Sequence, residues 1–216
     1  GLSRNRIVRV TAVKRGRDIV SDVLRPLRRG AHIMGMAAPL YYTADMVRAM
    51  PDDGNIYEVV HGELLVSPSP RPWHEEVAIR LLESVRAYLR TQHLGHAFGS
   101  RSDLSWGLRD VMVSPDLFVV PLDEARRLDW FSLRTVLLVA EVLSPSSSRS
   151  DRFAKRRLYQ EQGVPLYWII DPEERYAEVW QPGDDFPRQE RQALHWSPQG
   201  ATGPFTIELT DLFREI

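Results

Sequence analysis

One short segment, residues 136–143, restricts the folds open to this chain more than any other. Seven of its eight residues are apolar, the exception is Glu141, and Ser144-Pro145 ends the run. An apolar run of this length is typical of a strand that is buried on both faces of a sheet. A carboxylate inside such a strand costs free energy unless it takes up a proton or a cation lies beside it. The segment therefore predicts a covered sheet and a partner for Glu141.

Two other residues are candidates for a site shared with Glu141. Segment 111–120 is a second largely apolar run, and Asp116 is its only acid. Lys155, in the helical segment after Glu141, is one of only two lysines in a chain with 26 arginines. We expect Asp116 and Glu141 to converge, because each is the lone acid of an apolar strand. A structural interpretation stays open, in which Asp116 bends an edge strand, Glu141 pairs with a core arginine and Lys155 pairs with Asp151.

Paired carboxylates at strand positions suit a hard divalent cation. Mg²⁺ prefers a few carboxylate oxygens together with water and phosphate oxygens. A bound metal ion activates water and offsets charge on a phosphoryl group. Such a site with a nearby ammonium, which can steady the attacking water, is suited to phosphodiester hydrolysis.

Three further residues are weaker candidates. Glu58 and Glu63 flank the predicted hairpin turn at His61-Gly62, and either could supply a third carboxylate, although glutamates are common on hairpin surfaces. His74 lies on the inward stripe of the clearest helix, where a hydrogen-bonded core histidine is the more ordinary role. The periodic apolar residues of that helix are Val77, Leu81, Leu82, Val85, Tyr88 and Leu89.

The remaining pattern predicts a mixed α/β chain. A helix capped by Ser150 and stopped by Gly163 separates the Glu141 strand from the apolar strand 164–170. Because a strand–helix–strand crossover joins parallel neighbours, we expect these two strands to be parallel. We also expect the clearest helix, which contains Val77 and Leu89, to close at His93-Leu94-Gly95, and the tail around 205–209 to form outer strands.

Composition excludes several classes. The chain has no cysteine, which rules out disulfides and thiolate metal sites. No apolar stretch approaches the ~20 residues that span a bilayer, so we expect no membrane partner. The absence of cysteine makes a reducing cytoplasm the simplest expected location. The glycine-rich phosphate loop, the His-Glu-x-x-His motif and the Gly-x-Ser-x-Gly motif are all absent.

Charge divides the chain unevenly. Residues 1–33 carry a net charge of +7, and the remaining 183 residues carry −8. We therefore expect a basic N-terminal extension at 1–35 and a single domain at 36–216. The extension could be foreign to the native protein, a disordered arm that contacts nucleic acid, or an integral helix. An acidic domain with carboxylates in a cleft fits metal binding better than free-standing DNA affinity.

Several motifs, spread over residues 41–182, resemble the Uma-type endonuclease family of the restriction-endonuclease-like PD-(D/E)XK superfamily. The motifs, in chain order, are Tyr57-Glu58-Val59-Val60-His61-Gly62-Glu63-Leu64, Pro68-Ser69-Pro70 with His74, Pro115-Asp116-Leu117, Glu141-Val142-Leu143-Ser144-Pro145-Ser146, Asp151 with Lys155 and Tyr159, Gly163-Val164-Pro165, and Tyr167-Trp168-Ile169-Ile170-Asp171-Pro172. The resemblance implies an α/β fold of the α+β mixed-sheet kind. Its restriction-endonuclease-like core would be a central mixed β-sheet flanked by helices, with extra outer strands.

The resemblance also implies roles for individual residues. Asp116 and Glu141 would be the metal carboxylates, and the Val142 carbonyl a further metal ligand. The superfamily pattern has lysine two residues after the glutamate, where this chain has Leu143, so the lysine would be Lys155 from the following helix.

Other implied roles concern the rim of the site. Glu58 or Glu63 would be the outer carboxylate, and His74 would be a further catalytic residue.

The resemblance implies a Mg²⁺-dependent (or Mn²⁺-dependent) endonuclease that hydrolyses phosphodiester bonds in nucleic acid, with DNA favoured over RNA as the substrate. A homodimer is compatible with this reading. The alternative is a catalytically silent nuclease-fold domain that serves binding or the biology of mobile elements.

Overall fold

The structure, a computed structural model, describes residues 40–216, so the predicted basic extension lies outside the described residues. The helices are α1 (Ala44–Arg48), α2 (Pro72–Gln92), α3 (Leu122–Ala125), α4 (Ser148–Ser150), a π-helical segment (Asp151–Lys155), α5 (Arg156–Glu161) and α6 (Leu209–Leu212), with a 3₁₀ turn at Trp130–Ser132. The strands are β1 (Asn55–Val60), β2 (Glu63–Pro68), β3 (Gly95–Gly99), β4 (Leu117–Pro121), β5 (Leu138–Val142), β6 (Tyr167–Asp171), β7 (Tyr176–Trp180), β8 (Arg188–Glu190), β9 (Ala193–Trp196) and β10 (Phe205–Glu208).

A six-stranded mixed sheet forms the centre, in the order β3-β4-β5-β6-β7-β8. Its strands pair antiparallel except β5 and β6, which run parallel with Ala140 opposite Trp168. The α/β class and the parallel crossover predicted from the sequence are therefore confirmed. Two hairpins lie outside this sheet, β1 with β2 and β9 with β10.

The two faces of β5 pack against different cores because successive strand residues point to opposite faces. Leu138, Ala140 and Val142 pack with α2 and with the β9–β10 hairpin. Val139 and Leu143 pack on the other face with residues of α5. Glu141 shares the parity of Val139 and Leu143, so its carboxylate points to the α5 side of the sheet.

Helix α2 follows the predicted apolar period. Its inward residues, Val77, Leu81, Val85 and Leu89, are buried against the sheet. The predicted C-terminus differs in one respect. His93 takes the left-handed conformation that ends the helix, with φ 55°, and Gly95 is the first residue of β3.

The helix after Glu141 differs from its prediction at its start. Helical structure begins at Ser148, so Ser150 is not its N-cap, and the hydroxyl of Ser150 donates to the Ser147 carbonyl. The end is as predicted, with Gly163 at φ 67°. Between the two ends lies the π-helical segment, a feature that is frequent at functional sites. Its first and last residues, Asp151 and Lys155, are both buried.

The acid before β4 also differs slightly from its prediction. The strand begins at Leu117, so Asp116 lies at the strand entrance and not within it. Within residues 40–216, every helix is too short or too polar to cross a lipid bilayer.

Candidate active site

A cavity of about 410 Å³ opens between the β1–β2 hairpin, the start of α2 and the C-terminal end of β5. Charged residues from separate elements line it: Glu58, His74, Asp116, Glu141 and Lys155. Glu58 lies in β1 and Glu141 in β5, Asp116 directly precedes β4, and the helical segments supply His74 and Lys155. The cavity thus gathers most of the site residues predicted from the sequence.

Lys155 is the cation that the Glu141 strand requires. Its Nζ lies 3.0 Å from Glu141 Oε1 and 2.8 Å from Glu58 Oε2. Asp151 Oδ1 lies 3.3 Å away, so the helix-face pair expected from the structural interpretation also forms. Only 4% of Lys155 and 3% of Glu141 is exposed, so water screens these charges weakly.

Tyr159 completes the surroundings of Glu141. Its hydroxyl donates to Glu141 Oε1 over 2.9 Å. Residues 151, 155 and 159 are spaced four apart, which places them along one helical face. The sequence did not lead us to count Asp151 and Tyr159 among the site residues. Their spacing of four residues from Lys155 could have indicated that they share its helical face.

The cluster holds more negative than positive charge, and the pKa directions reflect this. Burial raises the pKa of Glu141 well above 4.5, Lys155 opposes the shift, and Asp151, Asp116 and Glu58 add to it. Burial alone would lower the pKa of Lys155, but the attraction of the three acids outweighs it and raises that pKa well above 10.5. Burial likewise raises the pKa of Asp151. One lysine therefore compensates the charge of several carboxylates only in part.

Asp116 meets Glu141 at the mouth of the strand pair, as the lone acids of the two apolar runs predict. The Asp116 N–H donates to Glu141 Oε2 over 3.4 Å, and Asp116 Oδ2 accepts from the Val142 N–H over 2.8 Å. His74 Nε2 lies 3.2 Å from the same Asp116 oxygen. Burial lowers the pKa of His74, but the contact with Asp116 outweighs this and leaves the pKa raised.

Only one of the two candidate outer carboxylates, Glu58 and Glu63, lines the cavity. Glu58 is buried, lines the cavity and accepts from the Ser114 N–H over 2.8 Å. Glu63 is exposed at the start of β2, opposite Val60, and lines two other grooves. Glu58 and not Glu63 therefore belongs to the buried cluster.

The donor set fits a hard divalent cation in ligand type and in charge. Glu58, Asp116 and Glu141 supply carboxylate oxygens, and Val142 lines the same cavity at the end of β5. With Asp151, four acids face one lysine, an excess of negative charge that a divalent cation would offset. Across the part of the chain that the structure describes, no three acids or histidines already converge in metal-ligand geometry. In the present arrangement the Lys155 ammonium lies between Glu58 and Glu141.

Comparison with known proteins relates the chain to one family and to one solved structure. The model of the Uma2 family, described as "Putative restriction endonuclease", matches residues 44–210. Among curated proteins no sequence matches the chain. A crystal structure of a putative nuclease belonging to DUF820 from Anabaena variabilis ATCC 29413 is similar, with a TM-score of 0.67 and 22% identity, over 80% of this chain and 97% of that one. That likeness concerns the fold, whereas the family match spans most of the sequence. The chain therefore belongs to the Uma2 family.

Proposed function

We propose that this protein is a Mg²⁺-dependent (or Mn²⁺-dependent) endonuclease that hydrolyses phosphodiester bonds in nucleic acid, most readily DNA. The observation that carries the proposal is the cluster of buried Glu58, Glu141 and Lys155 with half-buried Asp116 at one cavity. Family membership supports nuclease chemistry of the restriction-endonuclease kind. A purely structural ion pair would need one acid for one lysine, whereas this cluster keeps several carboxylates beside open space.

Asp116, Glu141 and the Val142 carbonyl would hold the cation, with Glu58 as the outer carboxylate. The bound ion would supply water activation and charge stabilisation at the phosphoryl group. Lys155 offsets the charge of the carboxylates that it contacts, and its ammonium would steady the attacking water or the charge that develops at the phosphoryl group. His74 is a positioning residue in this scheme, because it contacts Asp116 and fixes the orientation of that carboxylate.

The test compares two glutamates of one hairpin. Purified protein is incubated with supercoiled plasmid, linear DNA and RNA in Mg²⁺, Mn²⁺ or EDTA. We expect metal-dependent cleavage that Glu58→Gln and Glu141→Gln reduce by at least about 100-fold, since each removes a charge that supports the reacting centre. Glu63→Gln is the matched control, and we expect it to keep wild-type activity because Glu63 lies outside the cavity.

A second readout does not depend on the substrate. Metal binding to the folded state stabilises it by RT ln(1 + [L]/Kd), about 2.7 kcal/mol at 100 times Kd. We expect Mg²⁺ to raise the melting temperature of the wild type and of Glu63→Gln, but much less that of Glu141→Gln. No metal-induced shift and no cleavage of any substrate would favour the alternative, a silent nuclease-fold binding domain.

A further inference from the structure

A second groove adjoins the cavity of the candidate site. It has a volume of about 770 Å³ and lies between β2 and the helical turns that carry Arg149, Phe153 and Arg157. Ser67 lines both the groove and the cavity, so the two depressions share a wall. A chain lying in the groove would therefore pass beside the buried carboxylates.

The groove is basic, although the domain around it is acidic. Three arginines line it (Arg149, Arg156 and Arg157) against one acid, Glu63. Residues 34–216 together carry a net charge of −8. Because positive charge is concentrated in the groove of an otherwise acidic domain, the groove should attract a negatively charged polymer.

Two of these arginines are available to a ligand. Arg149 is exposed and makes no ion pair within residues 40–216. The side chain of Arg157 is 77% exposed, and its one ion pair among residues 40–216 is with the exposed Glu161 of its own helix. An exposed pair of this kind contributes little to stability, so Arg157 can exchange Glu161 for a phosphate at small cost.

The groove also presents an aromatic ring to solvent. Phe153 lines it and is 64% exposed. The π-helical segment turns Asp151 and Lys155 inward, which leaves Phe153, midway between them, on the outside. An exposed ring beside arginines is the arrangement that stacks the unpaired bases of single strands, because every base has a flat face. In a duplex the neighbouring base pairs already cover those faces.

The depth of the candidate site favours the same class of substrate. Glu141 and Lys155 are almost fully buried at the floor of a cavity of about 410 Å³. A single strand can bend to bring a phosphodiester into such a recess. Duplex DNA resists local bending, with a persistence length of about 150 base pairs.

We propose that the groove binds a single-stranded stretch of nucleic acid, with Arg149 and Arg157 on its phosphates and Phe153 stacked on a base. The substrate class of the enzyme is then single-stranded nucleic acid, an assignment that rests on the proposed nuclease function. The bound strand passes over Ser67 and delivers the adjacent phosphodiester to the carboxylates.

The experiment measures binding without cleavage. Fluorescence anisotropy in EDTA compares a labelled 15-nucleotide oligothymidylate, an oligouridylate of the same length and a 15-base-pair duplex, all with the full chain. We expect at least one single strand to bind about 10-fold or more tightly than the duplex. Phe153→Ala should weaken single-strand binding by about 5- to 150-fold, the range expected for the loss of one stacked base.

Salt dependence tests the arginines separately. In single strands each phosphate contact contributes about 0.7 to the slope of log affinity against log salt. The double variant Arg149→Gln, Arg157→Gln should therefore lower that slope by about 1.4. Matched controls are Phe186→Ala, an aromatic residue that is 84% exposed outside the groove, and Arg127→Gln, an exposed arginine that does not line it. Melting curves check that every variant is folded.

Binding and cleavage can fail independently. Equal or tighter binding of the duplex, or groove variants that bind like the controls, would overturn the assignment of the groove. Cleavage of duplex DNA with undiminished rate in Phe153→Ala would do the same while leaving the nuclease function intact. Single-strand binding that requires Phe153, together with no metal-dependent cleavage, would support the groove and contradict the proposed function.

Discussion

Lys155 carries the charge balance of the candidate site, since it contacts three carboxylates and is itself buried. Two tendencies oppose one another there. Burial disfavours every charge in the cluster, and the attraction between the lysine and the acids compensates part of that cost. The raised pKa of Glu141 shows that the compensation is incomplete for this acid, whereas the raised pKa of Lys155 shows that the lysine is firmly charged.

We expect Lys155→Met to lower the free energy of unfolding at pH 7 by about 3–5 kcal/mol, because it leaves buried carboxylates without their cation. The pKa of Lys155 is raised, so its stabilising contribution is complete below its unfolded pKa of about 10.5 and present throughout the neutral range. The loss should be smaller at pH 5, where the acids of raised pKa are protonated in the variant. Urea unfolding at both pH values measures this, and an equal loss at pH 5 and pH 7 would contradict it.

We expect Glu141→Gln to make the metal-free protein more stable at pH 7.5. The folded pKa of Glu141 lies well above its unfolded value of about 4.5, so the contribution of this residue to stability is greatest below about pH 4.5 and is lost as pH rises through the folded pKa. Glutamine keeps the shape and can accept from Lys155 and Tyr159 without a charge. Melting curves from pH 5 to pH 7.5 without metal should show the variant gaining on the wild type. A variant that melts lower at pH 7.5 would show that Glu141 is stabilising when ionised.

The π-helical segment carries Lys155 and is itself attached to the central sheet. On its inward face Asp151 and Lys155 reach the cluster, and Arg152 reaches the other way, to β7. Arg152 Nε donates to Glu178 Oε1 over 2.8 Å, and its Nη2 donates to the Tyr176 hydroxyl over 2.9 Å. Glu178 is buried, so this contact anchors the segment and, through it, the position of Lys155.

We expect Arg152→Ala to destabilise the protein by about 1.5–3 kcal/mol, because it removes hydrogen bonds to a buried carboxylate. Arg152→Lys should restore little, since one ammonium does not reproduce the forked contacts of the guanidinium. Arg127→Ala is the control, because its exposed pair with Asp123 spans 3.8 Å and should change stability by less than about 0.5 kcal/mol. Denaturant unfolding compares the three variants, and a similar small effect for Arg152→Ala and Arg127→Ala would refute the anchoring role.

The distribution of charge along the chain has a consequence for binding. Residues 1–33 carry +7 and the remainder carries −8, so the two parts should respond to nucleic acid in opposite ways. Non-specific attraction to phosphates should depend heavily on the first part, whereas the arginine groove and the cavity belong to the second.

We expect deletion of residues 1–33 to weaken binding to duplex DNA and to reduce its salt dependence, since up to nine positive side chains are removed. The preference for single strands, which we assign to the groove, should remain. Anisotropy titrations of both proteins from about 50 to 200 mM KCl measure the two slopes. Identical slopes would show that the basic segment does not contact nucleic acid.

Local sequence pattern was sufficient for several features of this protein. The hairpin around His61-Gly62, helix α2 and the parallel pair β5–β6 follow from apolar period, turn residues and the length of the crossover. The meeting of Asp116 with Glu141 follows from two apolar segments that each contain one acid, although Asp116 lies just before its strand and not within it. These features depend on residues that lie close together in the chain, or on the general cost of burying a charge.

Other features required the packed fold, because they depend on contacts between residues far apart in the sequence. Glu58 and Glu63 flank the same turn, and the hairpin pattern alone does not say which of them faces the cavity. That choice is made where β1 pairs with Met112 and where the Ser114 N–H reaches Glu58. The π-helical segment likewise brings Lys155 to Glu58, about a hundred residues earlier in the chain, whereas the spacing of residues along the helix predicts only the contact with Asp151. Periodicity determines which side chains point inward, but the register of distant elements determines which inward charges meet.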